Sequence, residues 1–252
     1  MLIDSHCHLE NSSELNGIIE RAGCAGVELM LDAGSNLDHL QEHLNICKKY
    51  SQVYTAAGAH PHQALEFKEL NVVDILHATE NDKVIAIGEA GLDYFYDFAP
   101  KEAQIELFWK NIEAAQESGL PLIIHNRDSD DDMIQILSQA YDKKEFKAII
   151  HCYSSSLALA EVALEMGFYV SASGIITFTK SQEIRDNFGR IPLEKLLVET
   201  DSPYLAPVPK RGAVNEPANV VYTAQKLAEI KNVSFEKIAE VTTQNFKRLF
   251  GL

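Results

Sequence analysis

The sequence predicts a (β/α)8 barrel. Eight short apolar runs recur along the chain, segments of helical period lie between them, and 252 residues suit one undivided α/β barrel. Strands joined through helices run parallel, and eight such units close on themselves. An open doubly wound sheet is the alternative arrangement of the same pattern.

The runs read, in order, LIDSH, GVELMLDAG, VYTAAGAH, VIAIGEAGLD, PLIIHN, AIIHC, FYVSASG and LLVETD. Between the fourth and fifth, Ile105, Phe108, Trp109, Ile112 and Ala115 recur at three- and four-residue steps, which predicts a helix over Glu102 to Glu117. Pro100 suits its start and Gly119 its stop. An aromatic stripe at that spacing packs a core, so Phe108 and Trp109 are assigned to packing. Two further helical stretches, Glu216 to Glu229 and Phe235 to Phe250, follow the eighth run and complete the outer ring. The proline-rich segment SPYLAPVPKRGAVNEPAN follows that run instead of separating two folding units, so it reads as a long loop and residues 1–252 as one domain.

Composition narrows the function. With 22 basic and 37 acidic residues the net charge is −15, which argues against broad electrostatic binding of polyanions. Any nucleic-acid contact is therefore local. Neither a leader-like N-terminus nor a long uncharged apolar stretch is present, so a cytoplasmic location without a membrane partner is expected, and no obligate protein partner is implied. Cys7, Cys24, Cys47 and Cys152 have no paired spacing and are expected to be reduced, mostly buried thiols.

The polar residues of the runs form the chemical signal. Asp4, His6 and His8 alternate, so in an extended segment they share one face, with Ser5 and Cys7 on the other. Taken alone, H-x-H fits a half-built metal site and an ordinary strand start equally well. The fourth run ends its apolar part at Glu89, the fifth at His125, the sixth at His151 and the eighth at Asp201. Barrels place their catalytic groups at such positions. Four imidazoles and two carboxylates form a mixed nitrogen and oxygen set, suited to two divalent ions such as zinc, manganese or magnesium. Two ions about 3.5–4 Å apart activate a water and neutralise charge on a phosphoryl or carbonyl oxygen, which predicts hydrolysis.

These residues sit in motifs, DSHCH, GEAGLD, HNR, HCY, ETDSPYLAP and RGAVNEP, that occur in this order along the whole chain. Together they resemble the TatD family of metal-dependent deoxyribonucleases within the amidohydrolase-like superfamily. The resemblance implies that His6, His8, Glu89 and Asp201 hold one metal, and Glu89, His125 and His151 the other. Glu89 would be the bridge and Asp201 the group that positions or deprotonates the attacking water. It further implies cleavage of DNA, from an end of a single strand, and places His62 of GAHPH near the substrate. Arg127, Tyr153, Arg211 and Asn215 lie in motif segments expected around the mouth; the family often carries phenylalanine at the position of Tyr153. Asp4 is expected behind a ligand, and Glu199 shares the direction of Asp201 by the period-two rule. The acidic run Asp130, Asp131 and Asp132 is expected in the first turn of a helix, where negative charge is favourable. An ester or amide hydrolase, including a D-aminoacyl-tRNA deacylase, would use the same donors, and a non-catalytic metal-binding module is the remaining alternative.

Overall fold

The computed structural model describes residues 1–34 and 36–252 of the chain. The elements alternate as β1 (Leu2–Cys7), α1 (Leu15–Cys24), β2 (Val27–Asp32), α2 (Leu40–Lys49), β3 (Val53–Ala57), α3 (Val72–Ala78), β4 (Val84–Asp93) and α4 (Lys101–Ser118). They continue as β5 (Leu122–Arg127), α5 (Asp130–Lys143), β6 (Ala148–Ile150), α6 (Leu157–Glu165), β7 (Tyr169–Ala172), α7 (Gln182–Arg190), β8 (Leu196–Val198), α8 (Val220–Lys231) and α9 (Phe235–Phe250). All neighbouring strands pair in parallel, in the order β1 to β8. The first and last strands are joined through their ends. Asp201 N donates to His6 O at 2.9 Å, His8 N to Ser202 O at 2.7 Å, and Ser5 Oγ to Val198 O at 3.0 Å. The arrangement is thus a barrel and not the open sheet.

Every strand contributes to a shared inner layer that includes Ile3, Leu31, Ala56, Ile85, Ile123, Ile149, Tyr169 and Leu197. Phe246, Leu249 and Phe250 of α9 pack on that layer, so the last helix covers one end of the barrel. The larger cluster lies between strands and helices and includes Phe108 and Ile112 of α4. Gly119 ends α4 in the left-handed region, at φ 74°. The predicted helix after Glu216 begins as a short 3-10 turn, Pro217–Asn219, because prolines suit the first positions of a helix and not its interior. Among the described residues no helix is long and apolar enough to cross a membrane.

Two one-residue bulges matter for the site. Asp4 pairs with Met30 and Cys7 with Asp32, so β1 carries one extra residue between them. Ile87 pairs with Leu122 and Ala90 with Ile124, so β4 carries another around Glu89. Gly91 permits the close approach that follows, since a Cβ there would lie 1.9 Å from His125 O. The thiols are free but only partly as expected. Cys7 and Cys47 are buried, Cys152 is half-buried and Cys24 is exposed.

Candidate metal centre

The structure brings six side chains from five strand segments to the C-terminal mouth, with Glu89 in the middle. Its Oε1 lies 2.8 Å from His151 Nε2 and 2.8 Å from His125 Nδ1. Its Oε2 faces the other way, 3.3 Å from His6 Nε2 and 3.8 Å from His8 Nε2. Asp201 Oδ1 completes that second set, 3.5 Å from His8 Nε2 and 3.8 Å from His6 Nε2. The two oxygens of one carboxylate thus face two groups of imidazoles. That is the geometry a bridging ligand requires.

Neighbouring groups fix the rings. His8 Nδ1 lies 3.2 Å from Ala33 O, which leaves Nε2 free to face inward. His151 Nδ1 lies 3.3 Å from Glu199 Oε1, and the same oxygen accepts the amide of Cys152 at 2.7 Å. This carboxylate–histidine arrangement sets the tautomer and raises the basicity of a ligand ring. Replacing Glu199 with glutamine is expected to weaken metal binding roughly ten- to a hundredfold, as removal of such partners does. Competition against a chromophoric chelator checks it; unchanged affinity would assign Glu199 to the Cys152 turn alone.

A bound cation would take up one of two orphaned ring nitrogens. Both ring nitrogens of His6 are buried and lack a hydrogen-bond partner, although buried polar atoms ordinarily have one. Burial, reinforced by His151, pushes the His6 pKa down, so the ring is neutral and has a lone pair to give. Burial opposes charge on Glu89 and Asp201 too. It is outweighed at Glu89 by the surrounding imidazoles and at Asp201 by His8, so both carboxyls sit below their ordinary range and stay ionised. The donor set therefore fits divalent cations that accept imidazole and carboxylate. At His8, burial is outweighed by the hydrogen bond that its ring donates to Asp201 and by the charge of Glu89, and the pKa rises to about 9. His151 is likewise raised, against burial, by Glu89 and Glu199. Both rings must shed a proton to accept a cation, so metal uptake should release protons and tighten as pH rises toward 9. Titration calorimetry in buffers of different ionisation enthalpy measures that release, and a buffer-independent heat would contradict it.

Two residues at the site escaped the sequence reading as chemical groups. Asp93, at the end of β4, accepts from His62 Nε2 at 2.8 Å and lies 3.1 Å from His125 Nε2, both through Oδ2. The period-two rule that links Glu89 to position 91 leads to it directly. His60 Nε2 lies 3.5 Å from Glu89 Oε1, with its pKa lowered to about 4 mainly by burial. It follows β3 in a loop, where no periodicity gives a side chain its direction.

Several expected positions need correction. Asp4 does not share the face of His6, because the bulge in β1 breaks the alternation; its carboxylate accepts Thr200 N at 2.8 Å and Thr200 Oγ1 at 2.5 Å. It therefore positions the segment leading to Asp201, not a ligand ring. Tyr153 is 1% exposed, stacks edge-on against Phe188 and donates to Ser156 O at 2.8 Å, so it belongs to the core and not to the mouth. Asn215 is also buried, and its Nδ2 donates to Thr200 O and Tyr204 O at 2.9 and 2.7 Å, which ties down the long loop. Neither presents a surface to a substrate. Arg211 is exposed, with its guanidinium 3.8 Å from the Phe178 ring. Arg127 is exposed over Phe95 and Tyr96, and His62 is half-buried beside Asp93. Asp130, Asp131 and Asp132 occupy the first turn of α5, as expected.

An eight-stranded parallel barrel with imidazoles and carboxylates converging at its C-terminal mouth defines a (β/α)8 protein with a candidate dinuclear metal centre. Residues 3–251 match the model of the TatD-related DNase family, and the chain belongs to that family. Among relatives, an uncharacterized metal-dependent hydrolase, YabD, of Bacillus subtilis is 39% identical, with 100% of both chains covered. A Shigella flexneri protein named 3'-5' ssDNA/RNA exonuclease TatD is 30% identical, over 96% of this chain and 94% of the relative. The crystal structure of the TatD homolog YJJV from Escherichia coli superposes with a TM-score of 0.92 at 27% identity, covering 100% of this chain and 98% of the other. The family is one of metal-dependent hydrolases.

Proposed function

We propose that this protein hydrolyses phosphodiester bonds at the end of a single nucleic-acid strand, with two divalent cations, of zinc, manganese or magnesium, at the Glu89 cluster. The observation that carries the reading is the opposed facing of the two Glu89 oxygens, toward His125 and His151 on one side and His6 and His8 on the other. The Shigella relative's name supports the choice of nucleic acid.

When bound, such a cation pair supplies Lewis acidity for a phosphoryl oxygen and lowers the pKa of a water. His6, His8, Glu89 and Asp201 would hold one ion; Glu89, His125 and His151 would hold the other. The chain's own contribution lies in positioning and proton transfer. Asp201 has the more open carboxylate, with 13% of its side chain exposed against 4% for Glu89, so it is the one that meets an incoming water. It is ionised, as a general base must be. His62, held by Asp93, would contact the substrate. Arg127 and Arg211 offer exposed guanidinium groups within the mouth motifs, and a guanidinium can bond two phosphate oxygens at once.

The test is hydrolysis of an end-labelled single-stranded oligonucleotide by purified protein supplied with Mg²⁺, Mn²⁺ or Zn²⁺, beside an Asp201→Asn control. Shortening from one end, abolished by chelator and restored by metal, is the expected result. Absence of cleavage above the control would refute the nuclease reading. Turnover of D-aminoacyl-tRNA in a parallel assay would then move the chemistry from phosphorus to an acyl carbon.

A further inference from the structure

The hydrolytic chemistry leaves a set of aromatic side chains at the mouth unused. Phe95, Tyr96 and Phe98 follow β4 with 56%, 41% and 61% of their surface exposed, and Tyr204 follows β8 with 63% exposed. Single exposed rings are ordinary, but a contiguous group marks a contact surface. Here the rings touch. Centroids are 4.8 Å apart for Phe95 and Tyr96 and 5.3 Å for Tyr96 and Phe98.

The group is built into the site. The His62 ring lies 4.7 Å from Phe98 and 5.5 Å from Tyr96. Asp93 uses one oxygen to hold His62 and His125, and the other to accept the amides of Phe95 and Tyr96 at 3.0 and 3.1 Å. One carboxylate thus fixes the aromatic loop relative to the cluster around Glu89. Tyr204 stands edge-on to His8 at 6.1 Å. Since β4 and β8 are four strands apart in a ring of eight, the two aromatic groups flank the centre from opposite sides.

The charge of the chain decides what fits there. At −15 the molecule has no general attraction for a polyanion, so a strand needs contacts that do not depend on charge. Phe95 and Arg127 also line a cleft of about 790 Å³ together with Lys101, Asp128 and Asp131, and the Arg127 guanidinium lies over one face of Phe95 and of Tyr96, leaving the other face of each ring. Such a mixed lining offers phosphate no uniform attraction, whereas the flat face of a base carries no charge to be repelled. Base–aromatic stacking tolerates any sequence because every base has a π face. Inside a duplex those faces are covered by neighbouring pairs.

We propose that Phe95, Tyr96 and Phe98 on one side, and Tyr204 on the other, stack the unpaired bases next to the scissile phosphate and so select a single-stranded end over duplex. The proposal deepens the nuclease reading and rests on it.

The test separates binding from turnover. Metal-loaded wild type, the double variant Tyr96→Ala/Phe98→Ala and the single variant Tyr204→Ala are titrated against two fluorescent phosphorothioate strands of equal length. One is oligothymidylate and the other carries abasic sites at its terminal nucleotides. Wild type should prefer the first, and the double variant should bind it about ten- to a hundredfold more weakly, the size of lost base–aromatic stacking. Binding of the abasic strand should not change. All four rings are exposed, so the variants should fold, which circular dichroism checks. Equal binding of oligothymidylate by wild type and the double variant, or parallel loss of both strands, would overturn the proposal. Hydrolysis of the corresponding phosphodiester strands is followed alongside. If base-dependent binding is present and cleavage absent, the stacking surface survives and the nuclease reading falls. If both strands are cleaved and bound alike, the nuclease reading survives and the stacking surface falls.

Discussion

Replacing Glu89 with glutamine is expected to lower the hydrolytic rate at least about a thousandfold, the consequence of several kcal/mol of lost charge stabilisation at about 1.4 kcal/mol per factor of ten. This side chain stands at the centre of the cluster. One carboxylate faces His125 and His151 through Oε1, and His6 and His8 through Oε2. An amide of the same size presents one acceptor and one donor, so it can serve one group of imidazoles and must aim N–H bonds at the other. Metal content by plasma mass spectrometry should therefore fall from two ions per chain to one or none. Two ions and a rate within tenfold of wild type would show that Glu89 does not bridge.

The same residue shows how far the sequence can be read. The apolar runs located Glu89, His125, His151 and Asp201, because a hydrophilic side chain after a buried run is visible without coordinates. The fourth run, VIAIGEAGLD, coincides with β4, although its apolar part ends at Glu89 and the strand continues four residues further to Asp93. The continuation is buried throughout and includes Gly91, whose missing Cβ lets the strand meet β5. No propensity argument favours a strand there; the pairing with β5 does. Asp4 stands behind Asp201 and not behind the ring of His6. Strict alternation assumes an unbroken ladder, and the extra residue before Cys7 is a property of the pairing with β2, not of β1 alone. Tyr153 and Asn215 lie in the motifs but spend their polar atoms on Ser156, Thr200 and Tyr204. A motif shows that a residue belongs to a site, not whether it faces the substrate or supports the loop that does.

Asp201→Asn should separate proton transfer from folding and metal binding. Asp201 has φ 54°, in the left-handed region, which asparagine tolerates as well as aspartate. Its backbone bonds, from Asp201 N to His6 O and from Tyr204 N to Asp201 O, do not involve the side chain and survive the change. The unfolding midpoint of the metal-free protein should therefore stay close to that of wild type. Asparagine can still offer one oxygen toward His6 and His8, and His125, His151 and Glu89 are untouched, so at least one ion per chain should remain. What disappears is an ionised acceptor for the proton of the attacking water. General-base catalysis contributes about a hundred- to ten-thousandfold, and kcat should fall by that amount while strand binding changes only a few-fold. Rate, metal content and binding measured on one preparation keep these effects apart. A variant that retains both ions and more than a tenth of the wild-type rate would assign the proton to another acceptor. His60 is then a candidate, because its lowered pKa keeps the ring neutral beside Glu89.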